Sequence, residues 1–218
     1  MSEPSAASIL AETVALLRRA GDRGAVALLG LTAAGSAIAL GAANDGRGSV
    51  GLIVIQAIAN LLLFFWVTTD LLRRLGLRTT SGGGLGASFG VAILTGLGVI
   101  AGLVLLIVPG IYLGVRCSIS GSYALADGYG GVGEAIGRSW RSTRGRAWSI
   151  FVALLPWHGL IWGGAGGLRL VEAAAYANVP VIIALDALSS LGVVAAWYAA
   201  VAIYELIEGR GGLSEIFE

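Results

Sequence analysis

Residues 109–148 read PGIYLGVRCSISGSYALADGYGGVGEAIGRSWRSTRGRAW. Pro109 and Gly110 stand between two apolar runs, and the second run holds one arginine, Arg116. The stretch then closes on Arg138, Arg141, Arg144 and Arg146 before a third apolar run opens at Trp148. Hydrocarbon accepts the apolar runs and rejects the arginines. The stretch therefore records where the chain enters a bilayer, where it turns back and which side carries its positive charge.

The rest of the chain has the same character. It has 218 residues, 56% of them hydrophobic and 12% charged, with a mean hydropathy of +0.85. A soluble domain is about 25% charged, so this composition belongs to an integral membrane protein. A net charge of +1 gives no reason to expect nucleic acid as a partner. All 14 basic residues are arginine, and there are 35 glycines. Glycine at that density weakens helices in water; between membrane helices it lets backbones approach closely. The single cysteine, Cys117, lies in an apolar run and is expected to be a structural thiol.

Residues 5–20 are amphipathic at the helical period: Ile9, Leu10, Leu16, Leu17 and Ala20 share a face opposite Glu12, Arg18 and Arg19. Such a helix lies in the membrane interface or docks on a partner. Six runs then approach the length needed to cross about 30 Å of hydrocarbon: 25–43, 50–69, 89–108, 111–126, 148–164 and 180–207. The first is too long and too far from the start for a cleaved signal core and is read as a retained span. The fourth is about four and a half turns long and contains Arg116, so it reads as a tilted or a partly re-entrant helix. The expected fold is all-α, a single membrane domain over 1–218 with six transmembrane helices and two interfacial ones, 5–20 and 132–147.

Arginine sets the orientation. With a cytoplasmic N-terminus, Arg18, Arg19, Arg23, Arg73, Arg74, Arg78, Arg138, Arg141, Arg144, Arg146 and Arg210 all fall inside, and only Arg47 and Arg169 fall outside. This asymmetry is the positive-inside pattern of a bacterial inner (plasma) membrane protein with both termini cytoplasmic. It also requires the third and fourth runs to form a hairpin, because otherwise the 138–146 cluster lies on the wrong side. Small residues recur every four positions at Gly98 and Gly102, at Gly110, Gly114, Ser118, Ser122 and Ala126, and at Gly159, Gly163 and Gly167. These stripes predict backbone-close helix packing.

Catalytic chemistry has no visible seat. The sequence has one histidine, His158, and contains no HExxH, no phosphate loop and no Cys/His cluster. No motif calls for a cofactor or a metal, and the chain is not expected to be an enzyme. The best-founded site is 132–147. On a helix, Val132, Ile136, Trp140, Thr143 and Ala147 face one way and Glu134, Arg138, Arg141 and Arg144 the other. Glu134 and Arg138 form an i,i+4 pair in the favoured order. Trp140 and Trp148 suit headgroup depth, and arginine binds phosphate bidentately. The segment either holds anionic lipid headgroups or only fixes topology.

Polar groups inside the runs form a second set. Arg116 and Asp186 each lie a few residues past a proline expected at the outer face, about 8–9 Å deep by helical rise. An intramembrane ion needs a partner, so the two are expected to pair. Gln56 and Asn60 share a face of the second run and serve as interhelical glue or line a polar cavity. His158 beside Trp157 reads as a packing histidine.

Pro109-Gly110-Ile111-Tyr112, Tyr123-Ala124-Leu125-Ala126-Asp127, Glu134-Ala135, Ser139-Trp140, Thr143-Arg144-Gly145 and Trp148 together resemble the bacterial glycerophosphoryl diester phosphodiesterase membrane-domain family and related uncharacterised six-span membrane proteins. Some members of that family carry a soluble phosphodiesterase barrel, whose catalytic residues have no counterpart here. The resemblance implies a membrane module, and it transfers no activity. The expected function is non-enzymatic: binding or organising anionic lipids or a membrane protein partner. The alternative is a small transporter or permease with a polar route near Asp186 and Arg116.

Overall fold

A computed structural model of the chain describes residues 4–45, 50–77, 84–126, 131–173 and 178–209. Among these the regular structure is entirely helical: α1 (Ala6–Asp45), α2 (Val50–Arg74), α3 (Leu85–Leu105), α4 (Ile107–Arg116), α5 (Ser120–Leu125), α6 (Val132–Ser142), α7 (Ala147–Ala173) and α8 (Val179–Tyr204), which runs on into a π-helical turn, Glu205–Gly209. Five helices, α1, α2, α3, α7 and α8, contain stretches long and apolar enough to cross a membrane.

The interfacial helix and the first span expected from the sequence are one continuous helix, α1, bent at Ala20 where the backbone leaves helical geometry (φ −132, ψ 26). Ile9, Thr13 and Leu16 are buried, and the Thr13 hydroxyl donates to the Ile9 carbonyl at 2.7 Å. The apolar stripe of this first section is thus covered by protein. It does not lie open to a lipid surface, and Thr13 belongs to the stripe because it satisfies its hydroxyl within the helix.

The run at 111–126 is not one helix. α4 begins at Ile107, after a single extended residue, Leu106 (φ −160, ψ 132). The turn therefore falls before Pro109–Gly110, and Pro109 sits in the first turn of α4, where its missing N–H breaks no helical bond. Gly110 is needed for another reason. A Cβ there would lie 2.5 Å from the Leu103 nitrogen, and one on Gly102 would lie 2.8 Å from the Gly110 Cα. The two glycines let α3 and α4 fold back on each other in direct backbone contact. α4 ends at Arg116 after about 15 Å, half the hydrocarbon thickness. Cys117 (φ −99, ψ 5) caps it, and α5 follows from Ser120.

The chain divides into two compact units. One comprises Met1–Leu16, Thr68–Ala153 and Tyr198–Glu218. Its core is built from Leu71, Leu72, Ile119, Leu125, Ile150 and the closing stretch of α8. Tyr123 packs edge-on against Tyr204 (ring centroids 4.9 Å apart) and donates its hydroxyl to Glu208. Val104, Leu105, Leu106, Ile107 and Val108, at the tip of the α3–α4 hairpin, are 67–80% exposed. In water that exposure would forgo on the order of 5–10 kcal/mol of apolar transfer.

The other unit comprises Leu17–Val67 and Leu154–Trp197. Here α7 and α8 touch through glycine. A Cβ on Gly164 would lie 2.4 Å from the Leu185 carbonyl oxygen, and one on Gly192 would lie 2.6 Å from the Trp157 carbonyl oxygen. The Ser189 hydroxyl donates to the Ile161 carbonyl at 3.2 Å across the same seam. Of the stripe expected at Gly159, Gly163 and Gly167, only Gly167 meets a neighbour, Leu185; Gly159 and Gly163 face open space. Period-four spacing located a small-residue face, and Gly164 shows that the contact runs one residue further round.

Candidate functional site

The break after α4 leaves the Arg116 carbonyl without a helical donor, and α6 supplies two. The Ser139 hydroxyl donates to it at 2.8 Å and the Thr143 hydroxyl at 3.3 Å. Thr143 also bonds the Ser139 carbonyl at 2.7 Å. Both side chains are fully buried. The Ser139-Trp140…Thr143 motif is thus a clamp on the end of α4.

Trp140 completes the clamp. Its ring lies 4.5 Å from the Arg116 guanidinium carbon, and the Tyr112 ring, one turn back on α4, lies 5.8 Å from it. The two rings meet edge-on at 5.8 Å. Arg116 is only 3% exposed, and its Nε has no hydrogen-bond partner among the described residues. A guanidinium held by aromatic faces gains roughly 2 kcal/mol per contact when desolvated. The sequence signal for this cage was present: Tyr112 and Arg116 are four apart on one helix, and Trp140 sits inside the motif.

The ion pair expected between Arg116 and Asp186 gives way to local partners. Arg116 takes the aromatic cage of its own unit. Asp186 in the other unit accepts a hydrogen bond from Ser36 at 3.2 Å. Gly35 makes room for it, since a Cβ there would lie 2.6 Å from Asp186 Oδ2. Helical depth placed both ions inside their helices. Depth alone carries no information about which side chains lie beside each ion.

On α6 the buried positions are Ala135, Ser139 and, just past its end, Thr143. Of the stripe expected at Val132, Ile136, Trp140, Thr143 and Ala147, Thr143 is fully buried and Val132, Ile136 and Ala147 are half-buried; the deepest positions on the helix itself are Ala135 and Ser139, whose small side chains let α6 come close to its neighbours. A Cβ on Gly90 of α3 would lie 2.6 Å from Val132. The expected Glu134–Arg138 pair forms at 3.5 Å, with both side chains 42% exposed, so its stabilising effect is small. Arg146 turns inward enough to donate from Nη1 to the Ser142 carbonyl at 3.2 Å. Arg141 and Arg144 are exposed, and neither has a carboxylate partner among the described residues. Gly145, at φ +80, takes the left-handed conformation that turns the chain from α6 into α7. Trp148 opens α7 with 74% of its surface exposed and packs on Phe151 at 5.5 Å. Asp127 lies outside the described residues.

The remaining polar residues belong to the second unit. Gln56 is partly buried with its Oε1 unpartnered, and the same holds for Thr32 Oγ1. Asn60 is half-buried. His158 is exposed, with Nδ1 3.0 Å from the Leu154 carbonyl, so it faces outward and is not a core histidine. A second arginine–tryptophan stack, Arg23 over Trp66 at 4.6 Å, escaped the sequence reading because the two residues are far apart in the chain.

The clamp makes a modest prediction. Ser139→Ala removes the shorter of two bonds to the Arg116 carbonyl while Thr143 stays within reach. It should cost about 1 kcal/mol, read as a lower unfolding midpoint in detergent. An unchanged midpoint would mean that the hydroxyl contributes nothing to holding α4.

No protein-family model, no curated protein and no solved structure matches the chain.

Proposed function

We propose that this chain is a non-enzymatic membrane module whose 132–147 segment binds anionic lipid headgroups at the cytoplasmic face of a bacterial inner membrane. One observation carries the reading. Arg141 and Arg144 are exposed and carry no carboxylate partner among the described residues, and Trp140 and Trp148, the latter largely exposed, lie at either end of the cluster. Guanidinium groups left free beside interfacial indoles are matched to phosphate at the membrane surface. Arg138 and Arg146 flank them, half engaged with Glu134 and Ser142.

The topology that goes with this has both termini cytoplasmic and an even number of passages, with α3 and α4 entering and leaving the bilayer as one hairpin. An even number of passages returns the 138–146 arginines to the side of Arg18, Arg19, Arg73 and Arg74, which the positive-inside pattern favours. The resemblance to the glycerophosphoryl diester phosphodiesterase membrane domain supports a module of this kind.

Native mass spectrometry of the protein extracted with its lipids tests the reading. Anionic phospholipid should be retained in excess over zwitterionic lipid, and the excess should fall when Arg138, Arg141 and Arg144 are neutralised. Equal retention in the two forms would defeat it.

A second reading, a small permease, is favoured by the other unit. There Asp186 is half-buried inside α8, while Thr32 Oγ1 and Gln56 Oε1 are buried with no hydrogen-bond partner among the described residues. Water in a polar route would satisfy both oxygens. Solute uptake lost in Asp186→Asn and kept in the arginine variant would select this reading.

A further inference from the structure

We propose that the α3–α4 hairpin is a re-entrant wedge: its tip, residues 102–111, ends among lipid acyl chains and does not emerge into water on the far side of the bilayer. This rests on the placement of α6 at headgroup depth, and it would hold for any ligand of the arginines.

Two rulers set the depth. The C-terminal end of α4 is bolted to α6, since the Arg116 carbonyl accepts from Ser139 and Thr143 and Trp140 covers the guanidinium. Arg116 is therefore at the level of α6, and the ten residues of α4 carry the chain about 15 Å from it. On α3, Gly90 lies against Val132 at the start of α6. From Gly90 to Leu105 is fifteen residues, about 22 Å of helix. Both lengths fall short of the ~30 Å of hydrocarbon.

The chemistry of the tip agrees. Residues 96–111, GLGVIAGLVLLIVPGI, contain no side chain that can carry charge or form a hydrogen bond. The stretch 44–49, NDGRGS, which contains the end of α1, is the polar contrast within this chain. The side chains of Val104–Val108 point out of the fold, and α3 itself is apolar enough for a bilayer, so acyl chains are the occupant continuous with its flanks.

The backbone is also suited to a water-free site, where each bare polar group is costly. Only Leu106 leaves the helix. Its N–H donates to the Gly102 carbonyl at 2.9 Å, and its carbonyl accepts from Gly110 at 3.3 Å. Pro109 brings no N–H to the first turn of α4.

Cysteine accessibility tests the wedge. In a Cys117→Ser background, Leu106→Cys and Arg144→Cys are each treated with a membrane-impermeant maleimide in right-side-out and in inverted vesicles. The expected result is labelling of Arg144→Cys from one face only, with Leu106→Cys unlabelled from either face and labelled once the vesicles are dissolved in mild detergent. Labelling of Leu106→Cys from the face opposite Arg144→Cys would mean that the hairpin crosses completely. Protection that survives mild detergent and ends only in denaturant would mean that protein, a second copy or a partner, covers the tip. Either result overturns the proposal. Should Leu106→Cys disturb the turn, Val104→Cys, the most exposed of the tip residues, gives the same readout. Leu106→Cys and Val104→Cys both leave the arginines in place, so a failed wedge and a failed lipid reading are separately visible.

Discussion

Changing Arg138, Arg141 and Arg144 together to glutamine is expected to lower the preference for anionic over zwitterionic lipid roughly a hundredfold. Each surface arginine contributes about 1 kcal/mol toward an anionic headgroup, and about 3 kcal/mol is two decades in a binding ratio. The three are not equivalent. Arg138 is paired with Glu134 at 3.5 Å, so part of its field is already cancelled. Arg141 and Arg144 are exposed and free of carboxylates among the described residues, and the double variant alone should produce roughly a thirtyfold fall. Exposed Arg18 and Arg19 on α1 provide the control. Neutralising them removes positive charge without touching α6, and should move the ratio less than about threefold if the preference is local to α6. The effect should also shrink as salt rises, because exposed charges are screened over about 10 Å at 0.1 M and about 3 Å at 1 M. The measurement is lipid exchange in mixed-lipid nanodiscs, read by native mass spectrometry. A loss as large from the α1 pair as from the α6 triplet would reduce the site to a general surface potential.

Much of the architecture could be read from the sequence, for one physical reason: a chain in hydrocarbon must satisfy its backbone within helices. α2, α3 and α8 begin within about four residues of where the apolar runs placed them. This agreement comes from the length a crossing demands and owes little to local propensity. Where hydrocarbon sets no rule, the reading drifted. Pro109–Gly110 marked a turn by the logic of soluble proteins, yet the chain turns at Leu106, a residue with no turn chemistry. The proline instead opens α4, and the glycine serves a helix contact. Pairing Arg116 with Asp186 follows from depth, which rise per residue supplies, whereas the local partners each ion takes, the Tyr112 and Trp140 rings and Ser36, come from packing within its own unit. The clamp of Ser139 and Thr143 on the Arg116 carbonyl was invisible for a related reason. Those hydroxyls answer a break in α4 at Cys117, and no residue there announces one. The arginine-rich face of α6 was legible because charge is excluded from the interior whatever the rotation of the helix. The buried side is less legible, because an apolar stripe does not mark Ala135 and Ser139, whose small size is what allows contact.

Gly110→Ala is expected to be the most damaging single methyl in the hairpin. The added Cβ would lie 2.5 Å from the Leu103 nitrogen and 2.6 Å from its Cγ, inside any tolerable contact. The first neighbour is backbone, in the last turn of α3, so relief requires the two helices to move apart or α3 to unwind. Forced separation of packed helices exceeds the lower part of the usual 1–3 kcal/mol cost of overpacking; about 3 kcal/mol is expected. Gly102→Ala should behave alike, because its Cβ would meet the Gly110 Cα at 2.8 Å. Gly98 lies one turn earlier on α3 with nothing within 4 Å. There the same substitution removes only the conformational freedom of glycine and should stabilise the helix by roughly 0.5–1 kcal/mol. Opposite signs at positions four residues apart, read as unfolding midpoints in mild detergent, separate contact from propensity. The damage should also be local: a hairpin splayed at Gly110 exposes the 102–111 tip, so Leu106→Cys should label faster in detergent when Gly110→Ala is present. Equal midpoints for the Gly98 and Gly110 variants would show that α3 and α4 do not meet through their backbones.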